Sequence, residues 1–294
     1  MSLVEALVVI AILVILLGLT TAGVQRVRAT AARSACLNQM RQIGQALHQY
    51  ESVHRVLPPG VTHPALHPGL PRLYGPDTDP YPLLNWQARL LPYVEQETLW
   101  SLTEEAYARD RHAIETPPHI GMITSMALFL CPSDTRRTHP ELGPERTPAM
   151  TSYLGVSGTN NYRNDGVFFL DSRLRFRNLT DGTSNTVMVG ERPPYVHLLY
   201  GRWYGGWGPW GTGNAFLGVR EVRLTNNECP EGPYEFRPGS LQDPCSLYQF
   251  WSLHSGGACF LVADGSARFL SYSAAPLLPA LATRAGREPA VWPD

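Results

Sequence analysis

The first 57 residues contain no proline, and this restricts the fold more than any other feature of the chain. The opening "MSLVEALVVIAILVILLGLT" carries a single charged side chain, Glu5. Twenty helical residues reach about 30 Å, the thickness of a bilayer core. Beyond Gly23 the composition changes but the helical signal continues. Val24, Val27, Ala31, Ala35, Met40, Ile43 and Leu47 recur at three- to five-residue steps, and Arg26, Arg28, Arg33 and Arg41 take the remaining surface. That is an amphipathic stripe extending an all-apolar helix. Pro58-Pro59-Gly60 ends it. The expectation is one helix over about residues 1–53, roughly 75 Å long. Residues 1–24 suit lipid or a filament core, and 25–54 suit packing on a globular partner.

A secretory signal peptide is the first rival for this segment. It needs a basic start and a short apolar stretch ending in a small-residue cleavage site. No basic residue precedes the apolar run here. Glu5 is costly within lipid, on the order of 2.5–3.5 kcal/mol at mid-membrane. In a first helical turn it complements the helix dipole, and an amino terminus, its own or a neighbour's, is a nearby cation.

Residues 55–294 read as one α+β head with short helices and long loops. Gly and Pro number 26 each, which argues against a plain helical bundle. "NWQARLLPYVEQETLW" reads as a helix kinked or started by Pro92. "MALFLC", "TSYLGV", "DGVFF", "RLRFRNL" and "NTVMVGE" read as short strands between turn residues. "FWSLHSGGACFLVADGSARFLS" alternates on both sides of Asp264-Gly265, as a β-hairpin does. A looped insertion spans about 193–244, and "SAAPLLPALATRAGRE" reads as a short terminal helix. The net charge of -1 gives no electrostatic ground for nucleic-acid binding.

The five cysteines, at 36, 131, 229, 245 and 259, form no C-x2-C pair of the kind structural zinc sites use. Cys229 and Cys245 bracket a Pro/Gly-rich loop, and a disulfide there contributes about 2–4 kcal/mol in an oxidising compartment. Cys36 with Cys131 is the second candidate pair, leaving Cys259 free. His254 and Asp264 stand at the start and the turn of the expected hairpin. A hydrogen-bonded pair is the favoured reading, ahead of a metal site or a catalytic dyad, since no G-x-S-x-G elbow marks a nucleophile. No cofactor and no catalytic residue is expected. Calcium stays open at the loop carboxylates Asp181, Glu228, Glu231, Asp243 and Asp264, though their spacing assembles no ligand set. "GWGPWG" matches G-x-G-x-x-G, but Pro209 removes a donor and two tryptophans crowd the approach. Trp203, Tyr204, Trp207 and Trp210 read as packing, with a sugar-stacking or subunit surface as the alternative. His63 and His67 are flanked by prolines and read as loop residues.

An apolar Met1, then "SLVE" with Glu5 fifth, then the unbroken apolar run, resembles the N-terminus of type IV pilins and of type II secretion pseudopilins. His254 followed by nine residues and Asp264-Gly265 resembles the His-x9-Asp-Gly element of a large bacterial group of pilin-like proteins. "RQIGQALHQYES", "LLPYVEQ", "FLCPSD", "NDGVFF", "LTDGTSNTVMVGE" and "ALATRAG" fit the same group in order. The resemblance implies cleavage by a prepilin peptidase, a methylated amino terminus at Met1, and Glu5 pairing with the terminus of an adjacent subunit. It implies insertion in the inner membrane, then assembly through the N-terminal helices into an extracellular homo-oligomeric filament. It places the head outside, against the orientation that Arg26 to Arg41 alone would suggest. Alternatives are a minor pseudopilin of a secretion system, and a membrane-anchored sugar-binding protein or enzyme. Cys259 stands where the resembled proteins often have Asn.

Overall fold

The computed structural model describes residues 3–62, 79–113, 116–136, 148–194, 200–206, 214–223, 228–288 and 292. Within the first helix the side chains of residues 5, 6, 9–11, 15, 17, 19, 21 and 22 lie outside the described ones, as does Met1. The protein is a mixed α+β structure. One long N-terminal helix packs against a five-stranded, mostly antiparallel sheet.

Helix α1 runs unbroken over Leu3–His54. It stops where Arg55 adopts a left-handed φ of 60° and its N–H reaches back to Glu51 O, just before the proline pair. Its buried face is Cys36, Met40, Ile43, Leu47 and Tyr50, at alternating steps of four and three, with Gly44 and Ala46 beside them. The expected stripe therefore starts late. Val24 and Val27 are 49% and 69% exposed, and Ala31 is exposed too. Among the described residues nothing in the head reaches back that far, so the amphipathic pattern there has no partner among them. Arg33 of the stem engages the head, its guanidinium stacked 4.7 Å over the Phe269 ring. Among the described residues no helix is long and apolar enough to cross a membrane.

The strands are β1 (Tyr153–Gly158), β2 (Val187–Glu191), β3 (Phe216–Gly218), β4 (Gly257–Val262) and β5 (Ala267–Ser271). Their order is β3-β1-β2-β4-β5. All pairs are antiparallel except β1 with β3. Strands β1, β2, β3 and β4 are buried throughout, so both sheet faces are covered. One face packs on α1. The other packs on the short helix α3 (Leu278–Ala282) and an apolar group that includes Leu154, Val187, Phe250 and Phe260. The β4–β5 hairpin matches the alternation in the sequence: Gly265, at φ 88°, makes the turn and donates to Val262 O. Helix α2 (Glu97–Arg109) follows a 3-10 turn at Ala88–Tyr93 that contains Pro92, and the break between them falls at 94–96, where Glu95 adopts a φ of 59°.

Three expected strands are absent. "MALFLC" and "RLRFRNL" hold 3-10 turns at Ala127–Phe129 and Phe176–Asn178. "DGVFF" runs beside β1, with Val167 and Phe168 N–H both donating to Val156 O, and this shared acceptor is not a ladder. Conversely β3 lies inside the supposed insertion and completes the sheet. Trp203 and Tyr204 are fully buried, which removes them from any surface aromatic cluster. Trp207, Trp210, His63 and His67 lie outside the described residues.

Candidate functional site

Four side chains from four separate segments meet where α1 crosses the sheet. Cys36 comes from α1. Cys131 follows the 3-10 turn at 127–129, and that turn is tied to α1 by Gln39 Nε2 donating to Ala127 O (2.8 Å) and Leu130 O (3.1 Å). Glu191 ends β2, and His254 precedes β4 by three residues. All four are buried: Cys36 and Glu191 are 0% exposed, Cys131 3% and His254 8%.

His254 Nε2 lies 3.3 Å from Cys36 Sγ, 3.4 Å from Cys131 Sγ and 3.4 Å from Glu191 Oε1. The two sulfurs are 2.7 Å apart. All four ligand-type atoms fall within 4.8 Å of one another. The surrounding structure holds each in place. The Cys131 N–H donates to Ser152 Oγ (3.0 Å), and the His254 N–H to Ser252 Oγ (2.9 Å). His254 Nδ1 faces Ser133 Oγ at 3.4 Å. Glu191 Oε2 accepts from the Cys259 N–H (3.0 Å), while Oε1 is buried without a hydrogen bond.

Burial works against a charged His254. The contacts with Cys131 and Glu191, together with the Glu191 charge, outweigh it and push its pKa up to about 10. The hydrogen-bond contact with Cys36, then burial, push the Cys131 thiol up, and burial does the same to Cys259. Soft sulfur, imidazole nitrogen and carboxylate oxygen on one point form a donor set able to hold a metal ion.

The expected pairing of His254 with Asp264 does not form. The whole of β4 separates them, and Asp264 is exposed at the far hairpin end, accepting from the Ser266 N–H (2.9 Å). Gly265 instead faces α1, where a Cβ added at this position would lie 3.8 Å from the His48 ring. The loop carboxylates proposed for calcium are scattered. Asp181 accepts from the Gly286 and Arg287 N–H groups, and Asp243 caps the turn at Pro244–Tyr248. Glu228 and Glu231 are exposed. Among the described residues the Cys36, Cys131, Glu191 and His254 group is the metal-capable cluster, and it contains none of them.

Cys229 and Cys245 form the expected disulfide, with Cα atoms 5.5 Å apart. Cys36 and Cys131 come together as expected but as free thiols, alongside free Cys259. Glu191 was missed from sequence; a lone acid ending the apolar run "TVMVGE" was the available signal. Glu5 sits in the first turn of α1, and its side chain lies outside the described ones.

A concavity of about 530 Å³ opens beside the C-terminal end of α1, lined among others by Tyr50, His54, Tyr81, Arg89, Tyr93 and Trp100. Segment 63–78, which joins the lining residues Thr62 and Asp79, lies outside the described residues.

Fold and site together define an α+β head built around the C-terminal part of a long stem helix, with a Cys/His/Glu cluster at their seam. The chain belongs to the family described as "Protein of unknown function (DUF1559)", whose model matches residues 25–277. No curated protein and no solved structure matches it.

Proposed function

We propose that this protein is a pilin-like structural subunit, inserted in the inner membrane and then assembled through its N-terminal helix into an extracellular filament. The supporting observation is the division of labour along α1. Its last part is core of the head, while Leu3, Val4, Leu7, Val8, Ile12 and Val14 are each more than half exposed on its first part. An apolar rod of this length is unfavourable in water, at roughly 25 cal/mol per Å² exposed, and demands a continuous apolar partner. Lipid serves before assembly, and the same helices of neighbouring subunits serve after it. Glu5 then neutralises the amino terminus of the adjacent subunit, which fixes the axial register of the packing. In this reading the head is a passive outer layer and carries no catalysis, and a prepilin peptidase supplies the mature terminus.

The test compares wild type with Glu5→Leu in the native host. Wild-type cells should shed filaments containing this chain when sheared. The variant should remain in the membrane fraction at wild-type abundance and give no filaments. Normal filaments from Glu5→Leu would sink the assembly role. A wild-type chain found only as single membrane-bound molecules would sink the filament reading itself.

A further inference from the structure

We propose that Cys36, Cys131, His254 and Glu191 bind one zinc ion, which clamps the stem helix to the head. The inference rests on geometry at the seam of stem and head and stands apart from the filament reading. Zinc bonds of about 2.0–2.3 Å in a tetrahedron place neighbouring ligand atoms roughly 3.3–3.8 Å apart. The three distances from His254 Nε2, at 3.3, 3.4 and 3.4 Å, fit that spacing.

Proton counting points the same way. Nε2 carries at most one proton, yet it faces two sulfurs and a carboxylate oxygen. Glu191 Oε1 is within ion-pair reach of Nε2 but makes no hydrogen bond, although the residue is 0% exposed. Among the described residues the His254 ring, 3.4 Å away, is the cation facing this buried oxygen, and a zinc ion would meet it by direct ligation. A Cys36–Cys131 disulfide is the rival occupant. It needs the sulfurs at about 2.05 Å; they stand at 2.7 Å, and two thiolates on one zinc need them about 1 Å further apart. The disulfide accounts for the sulfurs alone and leaves Oε1 as it is, whereas the metal uses all four groups.

The outer contacts complete the site. Zinc-bound imidazoles anchor their second nitrogen to a polar group, and Nδ1 faces Ser133 Oγ. Ligating carboxylates are held by their other oxygen, and Oε2 takes the Cys259 N–H. Four protein ligands fill the tetrahedron, which makes this a structural site without an open position for a substrate. On binding, zinc displaces the thiol protons and the Nε2 proton to solvent.

The full chain, exported to an oxidising compartment and purified in detergent without chelator, gives the test. Elemental analysis should find about one zinc per chain. Replacement by Co²⁺ should give intense tetrahedral visible bands with a sulfur-to-cobalt charge-transfer band. Glu191→Gln should weaken Zn²⁺ affinity at least tenfold, and Cys259→Ser should leave the zinc content unchanged. Since ligand variants can misfold, two measurements on wild type decide independently. A Cys36–Cys131 cross-linked peptide in a chain lacking zinc overturns the proposal. So does a Co²⁺ complex without thiolate charge transfer.

Discussion

Gly44 of the stem faces Gly265 of the β4–β5 turn so closely that a Cβ at 44 would sit 3.2 Å from the Gly265 Cα and 2.9 Å from Leu261 Cδ1. The helix and the hairpin tip touch backbone to backbone, and each supplies a residue without a side chain. Gly44→Val adds three carbons where the neighbour is main chain and cannot rotate away. It should lower stability by about 1–3 kcal/mol, read as a fall in the thermal midpoint. Gly265→Ala, at a φ of 88°, should cost roughly 1 kcal/mol through backbone strain alone.

The stem is part of the core, so the position of a truncation decides whether the head folds. Removing residues 1–23 leaves the buried face of α1 intact. That chain should unfold cooperatively at nearly the full-length midpoint. Removing residues 1–54 takes away Cys36, Met40, Ile43, Leu47 and Tyr50, all buried. At about 1.5–3 kcal/mol for each large apolar side chain, the loss approaches the whole stability of a domain. The shorter chain should bind hydrophobic dye and lack a near-ultraviolet dichroism signal.

Acid should loosen the end of the head near helix α2. Arg89 is almost fully buried and forms a 2.6 Å ion pair with Asp79. Burial alone would raise the Asp79 pKa, but the Arg89 charge and hydrogen bonds outweigh it and hold the carboxyl below its usual value of 3.8. The pair's contribution is therefore fully present above pH 3.8 and is lost as pH falls through the lower folded-state value. Asp79→Ala should remove this part of the acid dependence and cost about 3 kcal/mol at neutral pH, since it strips Arg89 of its buried counter-charge. Denaturant titration of both chains from neutral pH into the acid range measures this.

The Cys229–Cys245 bridge closes a loop of separation 16 within the 193–244 insertion and its border. Replacing both residues with Ser should lower stability by about 3 kcal/mol on the loop-entropy account. The sheet itself should persist, because β3 pairs with β1 and not with the bridged loop. Hydrogen exchange should therefore quicken at 228–248 with little change in β1, β2 and β4.

The parts of the fold legible in the sequence are those set by local pattern. The helix end at Pro58, the β4–β5 hairpin around Asp264-Gly265 and the Cys229–Cys245 staple all follow from neighbours in the chain. What escaped depends on distant partners. Strand β3 is three residues long and pairs parallel with a strand some sixty positions earlier, so no alternation announces it. Val24 and Val27 continue a helical stripe that the described residues of the head do not cover. The site was the least legible part. Cys36, Cys131, Glu191 and His254 each come from a different segment, so no pair shows ligand spacing. The His-x9-Asp-Gly spacing drew His254 toward Asp264, while a strand of this length keeps its two ends apart.

The order in which the chain is made gives the stem a further consequence. The helix leaves the ribosome before the head, but β4 and β5, which cover the Met40–Leu47 face, begin only at Gly257. At roughly 5–20 residues per second, that face waits on the order of ten to forty seconds for its partners. A nascent chain with an apolar segment and an uncovered stripe is an aggregation hazard for all of that time. Early capture of the stem by a membrane or a holding chaperone would remove that hazard.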